Sequence, residues 1–477
     1  MKQTTSQTIT LRVAAIADPK SPHAPGHDQH LLVRLDPPNP RSLELTIRSI
    51  EPTPTDNSNP PVLFPALVNA HAHLDLSPIG PQPWDQGGAF TDWARMIIER
   101  RRDLTSAHDR DTAPAELGID LTLAGPTAAV ADIAGAASTA PAAAFAHSPL
   151  EGVSFIELFG FGPRSAIAIE QLATLAQALQ PIAEQTHQRQ HISFSPHAPY
   201  SASTDLYDAA SRTALESPHL APLIATHLAE HADERRLLTR AEGPMRDLLE
   251  RLNSWNDDTT RTFTPARSPV AHLAPHLRRT PAILAHVNDA SDEDIQDLAD
   301  LAERWRAIAN EIGQNAPQGG VVFCPRCHAY FAHEDTLGHH RFNDMLAAGI
   351  PVALGTDSIV NLPGEQADRL STLDDARLLA GQNLADPTSL LRMITTIPAT
   401  MLGLGERRFS IPPSPNAHTL AGLAFVYPPQ DHSHDQHPAD PNRELIRSEA
   451  PAHLVWNGLG FHPELENHLT EHQGAAR

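Results

Sequence analysis

An apolar run in FPALVNAHAHLD (64–75) ends in two histidines one residue apart. Side chains alternate faces along a strand, so His71 and His73 project to the same side and can chelate one metal ion from a rigid backbone. In a chain with 28 histidines, His-x-His alone is a weak signal. The placement, however, repeats. LIATHLAE (223–230) carries His227 at the end of its apolar run, with Glu230 three residues on. AILAHVND (282–289) ends its run in His286, and PVALGTDS (351–358) ends its run in Asp357. Any one of these taken singly is better explained as a packed core histidine or a helix-capping aspartate. Together they form a nitrogen and oxygen donor set suited to a divalent cation, Zn²⁺ or Fe²⁺.

Eight short apolar runs must position these groups: Val62–Ala70, Thr127–Ala134, Gly152–Gly160, His191–Pro196, Pro222–Leu228, Pro281–Val287, Gly319–Cys324 and Ile350–Thr356. Between them lie stretches with helical spacing, including Ile167–Glu184, Asp205–Leu215, Asp292–Ile312 and Leu370–Leu379. Strand alternating with helix implies parallel strands joined by crossovers. Eight such units predict an α/β fold of the (β/α)₈ TIM-barrel type over 62–408, with an open doubly wound sheet as the alternative. The candidate ligands fall on runs one, five, six and eight, at the C-terminal strand ends where barrel active sites lie.

The two ends of the chain read differently. Ile9–Ala15, Leu31–Leu35 and Leu43–Ile50 alternate between Pro- and Asn-rich turns, and 418–426 and 452–456 look similar. They predict one small β-sandwich domain built from both termini, 1–61 and 409–477. Segments 252–280 and 428–445 read as surface excursions. The DHSHDQH cluster in the second is read as a solvated loop, because no apolar frame fixes its histidines.

HAHLD, HAPYSAS, THLAE, the histidine ending the sixth run and GTDS occur here in an order that resembles the amidohydrolase superfamily, in particular its cytosine deaminase and triazine hydrolase-like branch. The resemblance runs from about Phe64 to Gly403 and implies the same barrel and split β domain. It implies His71, His73, His227 and Asp357 as metal ligands, His286 beside the activated water, and Glu230 as proton shuttle. His197 would contact substrate; as a loop residue held between Pro196 and Pro199 it has an equally plain structural account.

Lysine is scarce, with only Lys2 and Lys20, both before the first barrel run. Binuclear relatives usually bridge two metals with a carboxylated barrel lysine, so one metal is expected. Schiff-base chemistry, which needs a lysine amine, is excluded from the barrel. CPRC (324–327) supplies half of a structural zinc site or a redox pair, and otherwise lines the pocket after the seventh strand. On the last reading Arg326 and His328 are candidate substrate contacts, with Arg326 able to pair with a carboxylate bidentately. In FTDWARMIIERR (90–101), Phe90 and Trp93 could stack on a planar substrate or pack on the barrel.

The expected reaction is hydrolytic deamination of an aminated heterocycle. Water activated on the cation attacks the ring carbon, Asp357 accepts its proton, Glu230 protonates the ring nitrogen, and His286 stabilises the tetrahedral centre. The FxxW and CPRxHAYF segments resemble the aminofutalosine deaminase-like subgroup, which implies a purine-nucleoside-like substrate. Dechlorination or cyclic-amide opening on the same site, and a metal-retaining binding protein, are the alternatives. The net charge of −22 disfavours nucleic acid, no apolar stretch is long enough to span a membrane, and two cysteines make no disulfide framework. The N-terminus lacks the pattern of a secretory signal, so the expectation is a cytoplasmic enzyme of small molecules, with homo-oligomerisation left open.

Overall fold

The computed structural model describes residues 8–471 apart from 27–28, 37–41, 57, 85–87, 108–110, 136–137, 188, 428–439 and 458–459. The histidine cluster at 431–437 therefore lies outside the described residues.

Eight parallel strands form the central sheet in sequence order. They are β1 (Leu67–Ala72), β2 (Thr127–Ala134), β3 (Glu151–Leu158), β4 (Gln190–Pro196), β5 (Ile224–Leu228), β6 (Ala282–His286), β7 (Gly320–Phe323) and β8 (Val352–Leu354). Nearly every residue in them is buried, as strands covered on both faces require. The last strand returns to the first: Ala72 bridges Asp357, and the Asp357 N–H donates to the His71 carbonyl at 3.0 Å. Gly355 makes this closure possible, since a Cβ there would lie 2.8 Å from His71 Cβ. The sheet is thus a barrel, as the eight apolar runs predict.

The helices between strands follow the predicted spacing closely, at Ser165–Ala183, Thr204–Glu216, Asp292–Ile312 and Thr372–Gly381. The longest begins at a capping box, where Ser291 and Asp294 satisfy each other's backbone N–H groups. A further helix, Phe90–Ala107, follows β1 and leans over the mouth of the barrel.

Two antiparallel-rich sheets outside the barrel draw strands from both ends of the chain. Leu11, Val33 and Ile47 from one sheet meet Leu63, Leu423 and Phe425 from the other in a common apolar core, which makes a sandwich. One strand of it, Leu469–Glu471 paired with Ile9–Leu11, carries no recognisable apolar pattern in the sequence.

Two expectations need correction. The first apolar run is two strands, not one: Val62–Pro65 pairs with Leu423–Val426 and Ala15–Ile16 in the small sheet, and only Leu67–Ala72 enters the barrel. Both pieces are fully buried, so hydrophobicity alone carries no mark of the change of sheet. Segment 252–280 is also more than an excursion. It forms helices Asp257–Thr262 and Pro269–Leu273 and buries Trp255, Val270, Leu273 and Leu277.

Candidate metal centre and active-site pocket

The C-terminal ends of β1, β5, β6 and β8 bring the predicted residues together. Ligating atoms of His71, His227, His286 and Asp357 all lie within 4.8 Å of one another. His73, just past the end of β1, joins them with Nε2 3.2 Å from His227 Nε2 and 3.4 Å from Asp357 Oδ1. All five side chains are buried. Among the described residues, both ring nitrogens of His71, Nδ1 of His73 and Nε2 of His286 make no regular hydrogen bond, although His71 Nε2 lies 3.5 Å from Asp357 Oδ1. Buried polar atoms are nearly always paired, so this cluster has the donor chemistry and the unmet valence of a divalent-cation site.

The electrostatics agree. Burial pushes His73 and His286 well below the ordinary imidazole value and His227 to about 3, so all three are neutral, lone-pair-bearing donors. Burial opposes ionisation of Asp357, but His71, then His286 and His73, outweigh it and hold the carboxyl well below its usual range.

Neighbouring groups fix the orientation. The His197 carbonyl accepts from the His227 ring at Nδ1, 3.0 Å away, which leaves Nε2 facing the cluster. Asn361 donates to Asp357 Oδ2 at 2.6 Å. Asn69 accepts from Thr356 N and donates to Thr356 Oγ1, tying β1 to the loop that carries Asp357. The backbone is unusual at the same places: Ala229, His286, Val287 and Asp357 all have positive φ, between 49° and 73°. Left-handed non-glycine residues are costly and collect where a side chain must be aimed.

Glu230 reaches into the same space. Its Oε1 lies 3.8 Å from His286 Nε2, and Tyr200 donates its hydroxyl to Oε2 at 3.1 Å. Burial, then the charges of Asp357 and Glu234, push its carboxyl well above the ordinary range, which favours the protonated form. Glu234 accepts the N–H groups of both Ala229 and Glu230 at 2.9 Å, and Asn288 donates to the Glu230 carbonyl.

A cavity of about 1240 Å³ opens above these residues. Phe90, Trp93, Phe159, His197, Tyr200 and Met245 contribute to its walls, and His73, His227, Glu230 and Asp357 to its floor. His197 stands on the wall, stacked on the half-exposed Phe159 ring at 4.6 Å, with Nε2 3.7 Å from Glu157. Trp93 also faces the cavity and packs against Phe90 and Phe331, so it both packs and lines.

Two predicted substrate contacts are placed elsewhere. Arg326 is buried away from the cavity: its guanidinium donates to Asp375 at 2.8 Å, the Ser371 carbonyl at 2.9 Å and Gln366 at 3.0 Å. A buried cation needs such partners, and these turn the guanidinium away from the cavity. His328 likewise turns from the cavity to Asn288 Oδ1, at 3.2 Å, and acts on Glu230 only through that asparagine. Cys324 and Cys327 are free, buried thiols that burial pushes well upward, the opposite of a redox-active pair.

Sequence reading missed Asn69, Glu234, Asn361, Tyr200 and the Arg101–Glu157 pair. Some signal existed. Asn69 is the lone amide in its apolar run two residues before His71, and Glu157 interrupts the end of another run.

Comparison with known proteins supports the arrangement. The amidohydrolase family profile matches residues 62–408. Aminodeoxyfutalosine deaminase of Deinococcus radiodurans is 28% identical over 307 residues, covering 63% of this chain; the match spans less than two thirds of that relative, 64% of its length. Among solved structures, Helicobacter pylori aminofutalosine deaminase in complex with methylthio-coformycin superposes with a TM-score of 0.66 at 16% identity, over 92% of this chain and 97% of that one. A triazine hydrolase from Arthrobacter aurescens gives 0.64 at 15% identity over 95% and 94%. An adenosine deaminase from Xanthomonas campestris with bound zinc gives 0.60 at 17% over 94% and 91%. These structural likenesses concern the fold. With the profile spanning most of the chain, and the barrel and strand-end cluster in place, this protein belongs to the amidohydrolase family.

Proposed function

We propose that this chain is a mononuclear metal-dependent hydrolase that releases ammonia from an aminated heterocycle, with a purine-nucleoside-like molecule such as aminofutalosine as substrate. The observation that carries the reading is Glu230, a buried carboxyl hydrogen-bonded by Tyr200, aimed at His286 beside the histidine cluster and shifted by burial toward its protonated form. The three deaminases among the relatives favour the substrate class.

His71, His73, His227 and Asp357 would hold the cation, Zn²⁺ or Fe²⁺. When bound, such a cation lowers the pKa of a coordinated water toward ~7. One metal suffices, because no lysine lies in the barrel and the Glu157 carboxylate facing His197 is already held by Arg101 at 2.5 Å.

The chain's own groups do the remaining work. Glu230 gives its proton to the ring nitrogen next to the amino-bearing carbon as oxygen adds there. Asp357, strongly acidic and beside the cluster, receives a proton from the attacking water. His286, neutral and held in a left-handed backbone, donates toward the developing tetrahedral oxygen. Return of a proton through Glu230 lets the amino group leave as ammonia, so one water is consumed and one ammonia released. The apolar walls at Phe90, Trp93 and Phe159 exclude bulk water and stack a planar ring.

Ammonia release screened across aminated nucleosides, purines, pyrimidines and triazines tests the reading, with metal content measured on the same samples. Glu230→Gln is expected to keep the metal and lose turnover. Chloride release from a triazine in place of ammonia would move the assignment to dechlorination. Bound metal with no turnover of any of these compounds would reject it.

A further inference from the structure

At the opposite end of the barrel from the metal cluster lies a second cavity, of about 840 Å³. It is framed by the C-terminal half of helix Thr204–Glu216, the turn after Ala274–His276 that leads into β6, and helix Asp292–Ile312. Four arginines from these three elements line it: Arg212, Arg278, Arg279 and Arg304. All four are exposed, and among the described residues none has a side-chain hydrogen bond or ion pair. Only two carboxylates join them. Asp208 faces His276 at 3.1 Å, which leaves Glu216 as the sole unpaired anion in the lining. Ser211 lies in the same lining, 3% exposed, with a buried hydroxyl that has no partner.

This concentration runs against the composition. Acidic side chains outnumber basic ones 57 to 35, and some exposed arginines elsewhere pair with them, as Arg34 and Arg48 do. Four guanidinium groups around one concavity repel one another unless an anion sits between them. Their forked donors match phosphate oxygens, and the Ser211 hydroxyl adds a donor from the floor. Apart from Leu215 and Pro275 the lining is polar and holds no phenylalanine, tyrosine or tryptophan ring, so charge and hydrogen bonding are what it offers.

We propose that this cavity binds a small molecule bearing two or more phosphate groups, at a site separate from the metal centre. It stands independently of the function proposed above. The chemistry is shared by free pyrophosphate and by the diphosphate of a nucleotide.

Titration calorimetry of the full metal-loaded chain with pyrophosphate, and in a second arm with ADP, provides the test. Saturable one-to-one binding is expected, weaker as salt rises. Arg278→Ala/Arg279→Ala and, separately, Arg212→Ala/Arg304→Ala should each lower affinity at least about tenfold, a loss of about 1.4 kcal/mol. The control Arg443→Ala/Arg447→Ala, which changes net charge equally on a distant helix, should leave it unchanged. The two test pairs lie on different elements, so a folding failure of one leaves the other informative. Equal affinity for pyrophosphate and ADP would assign recognition to phosphate alone; tighter ADP would point to a nucleotide. Several results would overturn the proposal: no saturable binding, a heat that survives both pairs with loss of metal to the probe, an equal effect of the control, or anion-free self-association abolished by the same pairs.

Discussion

Glu151 and Glu157 sit at the two ends of strand β3, both buried and both raised by burial, yet their surroundings differ. At the lower end, Arg408 holds both oxygens of Glu151 and also donates to Glu44 at 2.5 Å, so the group ties barrel to sandwich. At the upper end, Arg101 holds one oxygen of Glu157, and the other faces His197 across the cavity. Around it, among the described residues, stand ring nitrogens of His71, His73 and His286 that make no regular hydrogen bond. Buried polarity that is satisfied within the chain specifies and holds a structure, whereas buried polarity left open is completed by a ligand. The Glu151–Arg408 contact holds the barrel to the sandwich; the cluster around Glu157 has polar groups left open to a cation and a substrate.

Changes at the upper end should therefore cost activity more than stability. Glu230→Gln is expected to lower turnover about 10²–10⁴-fold, the scale of a lost general acid, with metal content by elemental analysis unchanged. Unaltered turnover would remove Glu230 from the chemistry. His71→Ala should instead empty the metal site while leaving the circular dichroism of the barrel intact; full metal occupancy would break the ligand set.

The lower end should behave in the opposite sense. Arg408→Ala leaves Glu151 buried and unpaired, so chemical denaturation should show a loss of about 3–5 kcal/mol, with little change in turnover of the folded fraction. A change below 1 kcal/mol would mean that the pair adds little.

Asp132 on β2 lies between the two cases. Burial, then the charge of Asp75, push its carboxyl up to about 7, although Leu74 N–H and Ser154 donate to it. A folded-state value above the unfolded one means that the folded chain binds the proton more tightly. The stability this contributes is complete below pH ~4 and is lost as pH rises to ~7, on the order of 3 kcal/mol. Asp132→Asn should flatten that slope in denaturation measured at pH 5 and 7; an unchanged slope would place the titration elsewhere. The smallest effect is expected on the cavity wall. Trp93→Ala should raise KM about 2–10-fold with kcat nearly constant, as loss of one ring contact does.

The clustering of the candidate ligands was legible because strand-end position is a local property. A histidine or aspartate that ends an apolar run must emerge at the C-terminal face once the strands are parallel, so His71, His227, His286 and Asp357 could be grouped before any coordinates. The absence of barrel lysine, and with it the single-metal reading, is equally a matter of composition. Other features needed the folded chain. Arg326 and His328 follow a strand as the clustered residues do, but a direction set by Asp375 and Asn288, 49 and 40 positions away along the chain, turns them from the cavity. The division of the first apolar run between two sheets depends on which neighbour pairs with each half. The arginine-lined cavity joins residues from three elements with no common motif. Periodicity and residue type record what a segment does with its own backbone. Partner identity at long range is decided only when burial forces each polar group to find whatever tertiary contact lies beside it.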